Sequence, residues 1–70
     1  MGIFAMRLRK IRRERDITQK DLALKLSMTQ AAVSSWEKKG VEPPFDTVCK
    51  IAKILNCDPN YLLGFGDDIL

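Results

Sequence analysis

The 70-residue chain contains no histidine. That removes the commonest general base, the usual partner of a catalytic cysteine and the commonest metal ligand. Two cysteines, Cys49 and Cys57, cannot form a four-ligand metal site by themselves. They lie in an apolar run, so buried, reduced thiols are expected rather than a disulfide. Carboxylates are scattered rather than paired, and no glycine-rich phosphate loop occurs. Catalysis, a metal, a cofactor and a small-molecule substrate are therefore not expected. Long hydrophobic runs are missing too, since Arg, Lys, Asp or Glu interrupts every stretch short of the ~18 residues a membrane span needs. The opening Met1-Gly2-Ile3-Phe4-Ala5-Met6 is too short before Arg7 to be a signal-peptide core. A cytoplasmic chain with no membrane partner is expected.

What is present is globular composition, 46% hydrophobic and 30% charged. A chain this short buries only ~60% of its unfolded surface, so one small domain is the ceiling. The formal net charge is +3, unevenly spread. Residues 1–40 hold ten Lys/Arg against four acids, a net +6, whereas residues 41–70 hold two against five, a net −3. One basic and one acidic half suit a protein that turns a single face to a polyanion.

Apolar spacing is helical throughout. Phe4, Leu8 and Ile11 recur at i, i+4, i+7, which predicts a first helix ending near Arg15-Asp16. Thr18 offers a hydroxyl cap, with Asp21 placed three residues later to complete a capping box. A second helix, Gln19 to about Leu26, puts Leu22, Ala23 and Leu26 on one side. After Ser27-Met28, Thr29 caps a third helix from Gln30 to about Lys38. Gly40 stops it, and Glu42-Pro43-Pro44 is an extended connector. The fourth helix carries Phe45, Val48, Ala52 and Leu55 on its apolar face, with Asn56 as a left-handed cap. Asp58-Pro59 opens a short fifth helix through Tyr61-Leu62-Leu63, ended by Gly64 and Gly66. The expected fold is all-α, with residues 1–66 as the domain and 67–70 as a tail.

Helices two and three are too short to stand alone in water. Joined by only two residues, they must cross steeply, as in a helix-turn-helix at about residues 18–38. At ~100° per residue, Thr29, Ala32, Val33 and Trp36 fall on one face of the third helix. Ala31, Ser34 and Ser35 fall opposite, with Gln30 on the flank. A helix face made only for solvent carries Glu, Lys and Arg. Short hydrogen-bonding residues instead let a backbone approach a partner and reach base edges in a major groove.

The segment TQKDLALKLSMTQAAVSSWE, Thr18 to Glu37, resembles the helix-turn-helix of the Cro/C1 (Xre-type) phage repressors. The resemblance continues through Pro43-Pro44, IAKILN at 51–56 and DPNYLLG at 58–64, covering about residues 6–64. It implies a five-helix, lambda-repressor-like domain that binds palindromic double-stranded DNA operators as a homodimer. By position it implies base reading by Gln30, Ala31, Ser34 and Ser35. Gln19, Thr29, Lys38 and Lys39 fall where members touch the phosphate backbone. Ala23 and Val33 take the packing positions between the two helices, and Arg12 and Glu37 those of a buried ion pair.

Three departures matter. Ser27 replaces the usual turn glycine, so a residue with a side chain must accept positive φ or the turn must relax. The loop bearing Pro43-Pro44 has no arginine suited to a minor groove. Ala31 can neither donate nor accept, which leaves methyl contact with thymine or DNA shape. Leu24 points away from the expected core without explanation. Leu63, Phe65, Ile69 and Leu70 exceed what a small surface should expose, so either a dimer patch near the fifth helix or a linker to a further domain is expected. The reading is a sequence-specific DNA-binding transcriptional repressor or Cro-like regulator. Its alternative is an interaction module such as the antitoxin of a toxin–antitoxin pair.

Overall fold

The computed structural model describes residues 2–65, and these hold five α-helices: α1 (Ile3–Glu14), α2 (Gln19–Leu26), α3 (Gln30–Lys38), α4 (Phe45–Leu55) and α5 (Pro59–Leu63). The three side-chain caps fall where the sequence puts them. Thr18 accepts from the Asp21 amide while the Asp21 carboxylate accepts from the Thr18 amide, a complete capping box. The Thr29 hydroxyl accepts from Ala32, and the Asp58 carboxylate from Asn60. Pro59 follows at the first helical position, where its missing N–H costs nothing.

Four helices close in the same way. Asp16, Ser27, Asn56 and Gly64 each take the left-handed conformation, with φ of 56°, 57°, 55° and 92°. The amide after each one reaches back five residues to a helix carbonyl: Ile17 to Arg12, Met28 to Ala23, Cys57 to Ala52 and Phe65 to Asn60. Only Gly64 does so without a Cβ penalty, and a Cβ there would meet Ile3 Cγ2 at 3.0 Å. Ser27 thus accepts positive φ rather than relaxing the turn, which leaves only Ser27, Met28 and the cap Thr29 between α2 and α3.

One core serves all five helices. Phe4, Leu8 and Ile11 of α1 meet Leu22 and Ala23 of α2, Val33 and Trp36 of α3, Val48, Ile51, Ala52 and Leu55 of α4, and Leu62 of α5. Burying each large apolar side chain contributes about 1.5–3 kcal/mol, and no helix here could bury its stripe without the others. Ala23 and Val33 lie buried where α2 packs on α3, the small side chain allowing the close crossing.

Several expectations are corrected. Phe45 was placed on the apolar face of α4 and is 64% exposed. It is the first residue of the helix, and helical side chains lean toward the N-terminus, so spacing alone does not bring its ring onto the core. Thr29 was placed on the inward face of α3 and is exposed, because its hydroxyl serves the helix end. Cys49 and Cys57 are free thiols but half-buried rather than buried. Leu26, expected on the same side of α2 as Leu22 and Ala23, does pack against the core and is half-buried. Leu24 is 68% exposed, and nothing in the structure explains why an apolar residue stands there. Of the apolar residues expected near α5, Phe65 is 64% exposed and Leu63 half-buried, while Ile69 and Leu70 lie outside the described residues. Among the described residues no helix is long and apolar enough to cross a membrane.

Candidate nucleic-acid interface

The site is built around α3, which packs against α1 and α2. Its inward residues Val33, Trp36 and Glu37 are buried against α1 and α2. On the opposite side Gln30 and Ala31 are exposed, and Ser34 and Ser35 are half-buried. None of these four is bulky or charged, so the helix presents a shallow surface. Lys38 and Lys39, exposed at its C-terminal end, add the positive charge.

Orientation of α3 is enforced by a polar contact in the core. Arg12 of α1 donates from Nε to Glu37 Oε2 at 2.8 Å and from Nη2 to Glu37 Oε1 at 3.0 Å, a fork-to-carboxylate pair. A third donor, Arg12 Nη1, reaches the Ile17 carbonyl at 3.0 Å. The two side chains are 10% and 1% exposed, so water contributes little. Burial pushes the Glu37 carboxyl up, but hydrogen bonds from Arg12 and Gln19 and the charges of Arg12 and Arg9 outweigh it, leaving the group below its ordinary value of 4.5. Among the described residues no buried side-chain polar atom lacks a hydrogen-bond partner.

Gln19 is half-buried at the start of α2, and its Nε2 donates to Glu37 Oε1 at 3.1 Å. The amide bears a second N–H and an acceptor oxygen, so one donor remains for another group. Thr29 is exposed with its hydroxyl engaged at the helix end. The sites expected from the sequence therefore gather at α3 and the start of α2, with Arg12 and Glu37 behind them.

The basic half of the chain is less available than its charge suggests. Arg7 donates to the Tyr61 carbonyl at 2.8 Å and lies 4.9 Å from the centroid of that ring. Arg15 donates to the carbonyls of Leu55 and Asn56 at 2.7 and 3.1 Å, satisfying the open C-terminal end of α4. Sequence reasoning missed these roles, since nothing local links residue 7 to 61 or 15 to 55. It also missed Arg9, whose Nη2 lies 3.4 Å from the Glu37 carbonyl oxygen. Only its spacing of three from Arg12 on a helix offered a hint.

A sequence profile of the helix-turn-helix family matches residues 8–62. The chain is 36% identical over 62 residues to the HTH-type transcriptional regulator DicA of Escherichia coli K12, covering 89% of this chain and 45% of DicA. It is 33% identical over 57 residues to repressor protein C2 of Salmonella phage P22, covering 81% of this chain and 26% of that repressor. The crystal structure of the P22 c2 repressor in complex with synthetic operator 9T superposes with a TM-score of 0.82 at 29% identity, covering 94% of this chain and all of that one. The chain spans about half the length of the curated relatives it matches first. With the capped α2, the left-handed turn at Ser27 and the buried Arg12–Glu37 pair, these matches mean that the chain belongs to the helix-turn-helix family of the Cro/C1 (Xre-type) phage repressors.

Proposed function

We propose that this chain is the DNA-binding unit of a transcriptional repressor or Cro-like regulator and binds a palindromic double-stranded operator as a homodimer. The observation that carries the reading is the surface of α3: small or amide-bearing residues outside, a rigid core contact inside. Gln30, Ala31, Ser34 and Ser35 read base edges. Gln19, Thr29, Lys38 and Lys39 hold the phosphate backbone, and the Arg12–Glu37 pair keeps α3 at a fixed angle. The P22 repressor, a structural relative, is seen on an operator, which supports the same use of this fold. Its curated relatives are regulators and a phage repressor, which favours this reading over an antitoxin. The binding domain is assigned to residues 1–66, of which 2–65 are described, and the tail expected at 67–70 lies outside the described residues.

Two copies are needed because one short helix reads too few base pairs. Ile3, Met6 and Phe65 are exposed apolar residues at the end of the fold where Ile3 abuts Gly64, and they supply a surface for self-association. About three to four phosphates per subunit give a slope of log K against log salt of roughly −5 to −7 for the dimer. Selection of bound sites from a random duplex pool tests the reading. The expected product is a dyad with half-sites about 34 Å apart, so that both α3 helices enter successive major grooves on one side. A selected site without a dyad, or binding indifferent to salt, would overturn it.

A further inference from the structure

The junction around Glu37 holds one negative charge and two positive ones. Arg12 takes both carboxylate oxygens at 2.8 and 3.0 Å and neutralises the group. Glu37 Oε1 also accepts from Gln19 at 3.1 Å. Arg9 approaches the same oxygen only to 3.7 Å through Nε, beyond hydrogen-bond range, and makes a single long bond of 3.4 Å to the Glu37 carbonyl. Its side chain is 33% exposed against 10% for Arg12. The surplus cation therefore sits on the outer guanidinium, and most of its five donors are uncommitted.

We propose that Arg9 is a further phosphate-binding residue, acting with Gln19 as a paired donor site for a backbone phosphodiester; this rests on the DNA-binding reading. Arg9 Nε and Gln19 Nε2 lie within 3.7 and 3.1 Å of one buried atom, Glu37 Oε1, so the two half-buried planar groups are neighbours on the outer side of that carboxylate. A guanidinium fork and an amide N–H together match the two free oxygens of a phosphodiester. Because Glu37 is already neutralised by Arg12, it does not cancel the charge offered to the anion. The same junction that fixes α3 thus ties its angle to the position of one strand.

The test is the salt dependence of binding to a duplex of about 20 base pairs carrying the selected dyad. Arg9→Met keeps the aliphatic stem and removes the charge. The slope of log K against log salt should flatten by about 0.9 per subunit. The ratio of wild-type to variant affinity should then be about 3.5-fold larger per subunit at 50 mM than at 200 mM salt. Arg9→Lys should restore the slope, while urea midpoints of all three proteins stay close. A wild-type slope in Arg9→Met, with or without a lowered urea midpoint, overturns the proposal and leaves Arg9 as a cap on the end of α3. Failure of wild type itself to bind the duplex with any salt dependence overturns the DNA-binding reading as well, so the two failures are distinguishable.

Discussion

Arg12 and Glu37 meet 25 residues apart in sequence, both buried, with two hydrogen bonds of 2.8 and 3.0 Å between fork and carboxylate. The pair joins α1 to the last turn of α3, so the angle of the exposed helix face depends on it. Removing one partner strands a charge in the core, which costs about 3–5 kcal/mol. A domain of this size holds about 5 kcal/mol in total, so Arg12→Ala should keep no more than about 2 kcal/mol of stability and, at the upper end of that cost, unfold about half of the population at 25 °C. Arg12→Met combined with Glu37→Leu removes both charges and should recover much of the loss. Urea melts of the single and double variants measure this. A wild-type midpoint for Arg12→Ala would mean that the pair contributes nothing.

The same carboxylate sets a pH dependence. The Glu37 carboxyl is lowered in the folded state, below the 4.5 it has in the open chain. Its contribution to stability is therefore complete above about pH 4.5 and is lost as pH falls through the lowered folded value. The urea midpoint of wild type should hold from pH 7 to about 5 and drop below it. Glu37→Gln should be less stable at pH 7 yet show a shallower drop in acid. Parallel acid profiles for the two proteins would show that other groups carry the effect.

Ser27 carries a left-handed backbone, φ 57° and ψ 40°, at the turn between α2 and α3. A side chain in that region costs about 1–2 kcal/mol, part of which glycine would give back through its greater freedom when unfolded. Ser27→Gly should therefore stabilise the domain by about 0.5–1 kcal/mol without altering which sites it binds. Thermal melts beside a binding assay check both halves. A destabilised variant would mean that the serine makes a contribution beyond its backbone.

Much of this was legible in the chain because local chemistry decides it. Thr18 with Asp21, Thr29, Asn56 and Asp58-Pro59 mark helix ends by groups that act within three residues, and the ends fall there. Spacing puts Ala31, Ser34 and Ser35 opposite the inward Val33 and Trp36, with Gln30 on the flank, and of these Gln30 and Ala31 are exposed while the two serines are half-buried. Three-dimensional partnerships were not legible in the same way. Arg7 and Arg15 counted as basic surface in the sequence, whereas each is spent on a carbonyl more than 35 residues away, a separation that charge patterning cannot resolve. Phe45 failed for a different reason: periodicity gives the angle of a side chain around the axis but not whether the core extends to the helix's first turn. Gln19 was placed by likeness to relatives, and its bond to Glu37 needed coordinates.

In the proposed complex the outward face of α3 reads bases while its flanking lysines hold the backbone. Gln30 bears a donor and an acceptor and can bridge N6 and N7 of adenine, a contact that discriminates by about 1–3 kcal/mol against a wrong base. Lys39 offers only a charge. Affinities of wild type, Gln30→Ala and Lys39→Ala for a panel of single-base operator variants at two salt concentrations separate the roles. Gln30→Ala should relax preference at one symmetric pair of positions and keep the salt slope. Lys39→Ala should weaken all sites alike and flatten the slope by about one unit per subunit. An unchanged ranking of the panel in Gln30→Ala would contradict the account and place recognition elsewhere on the protein.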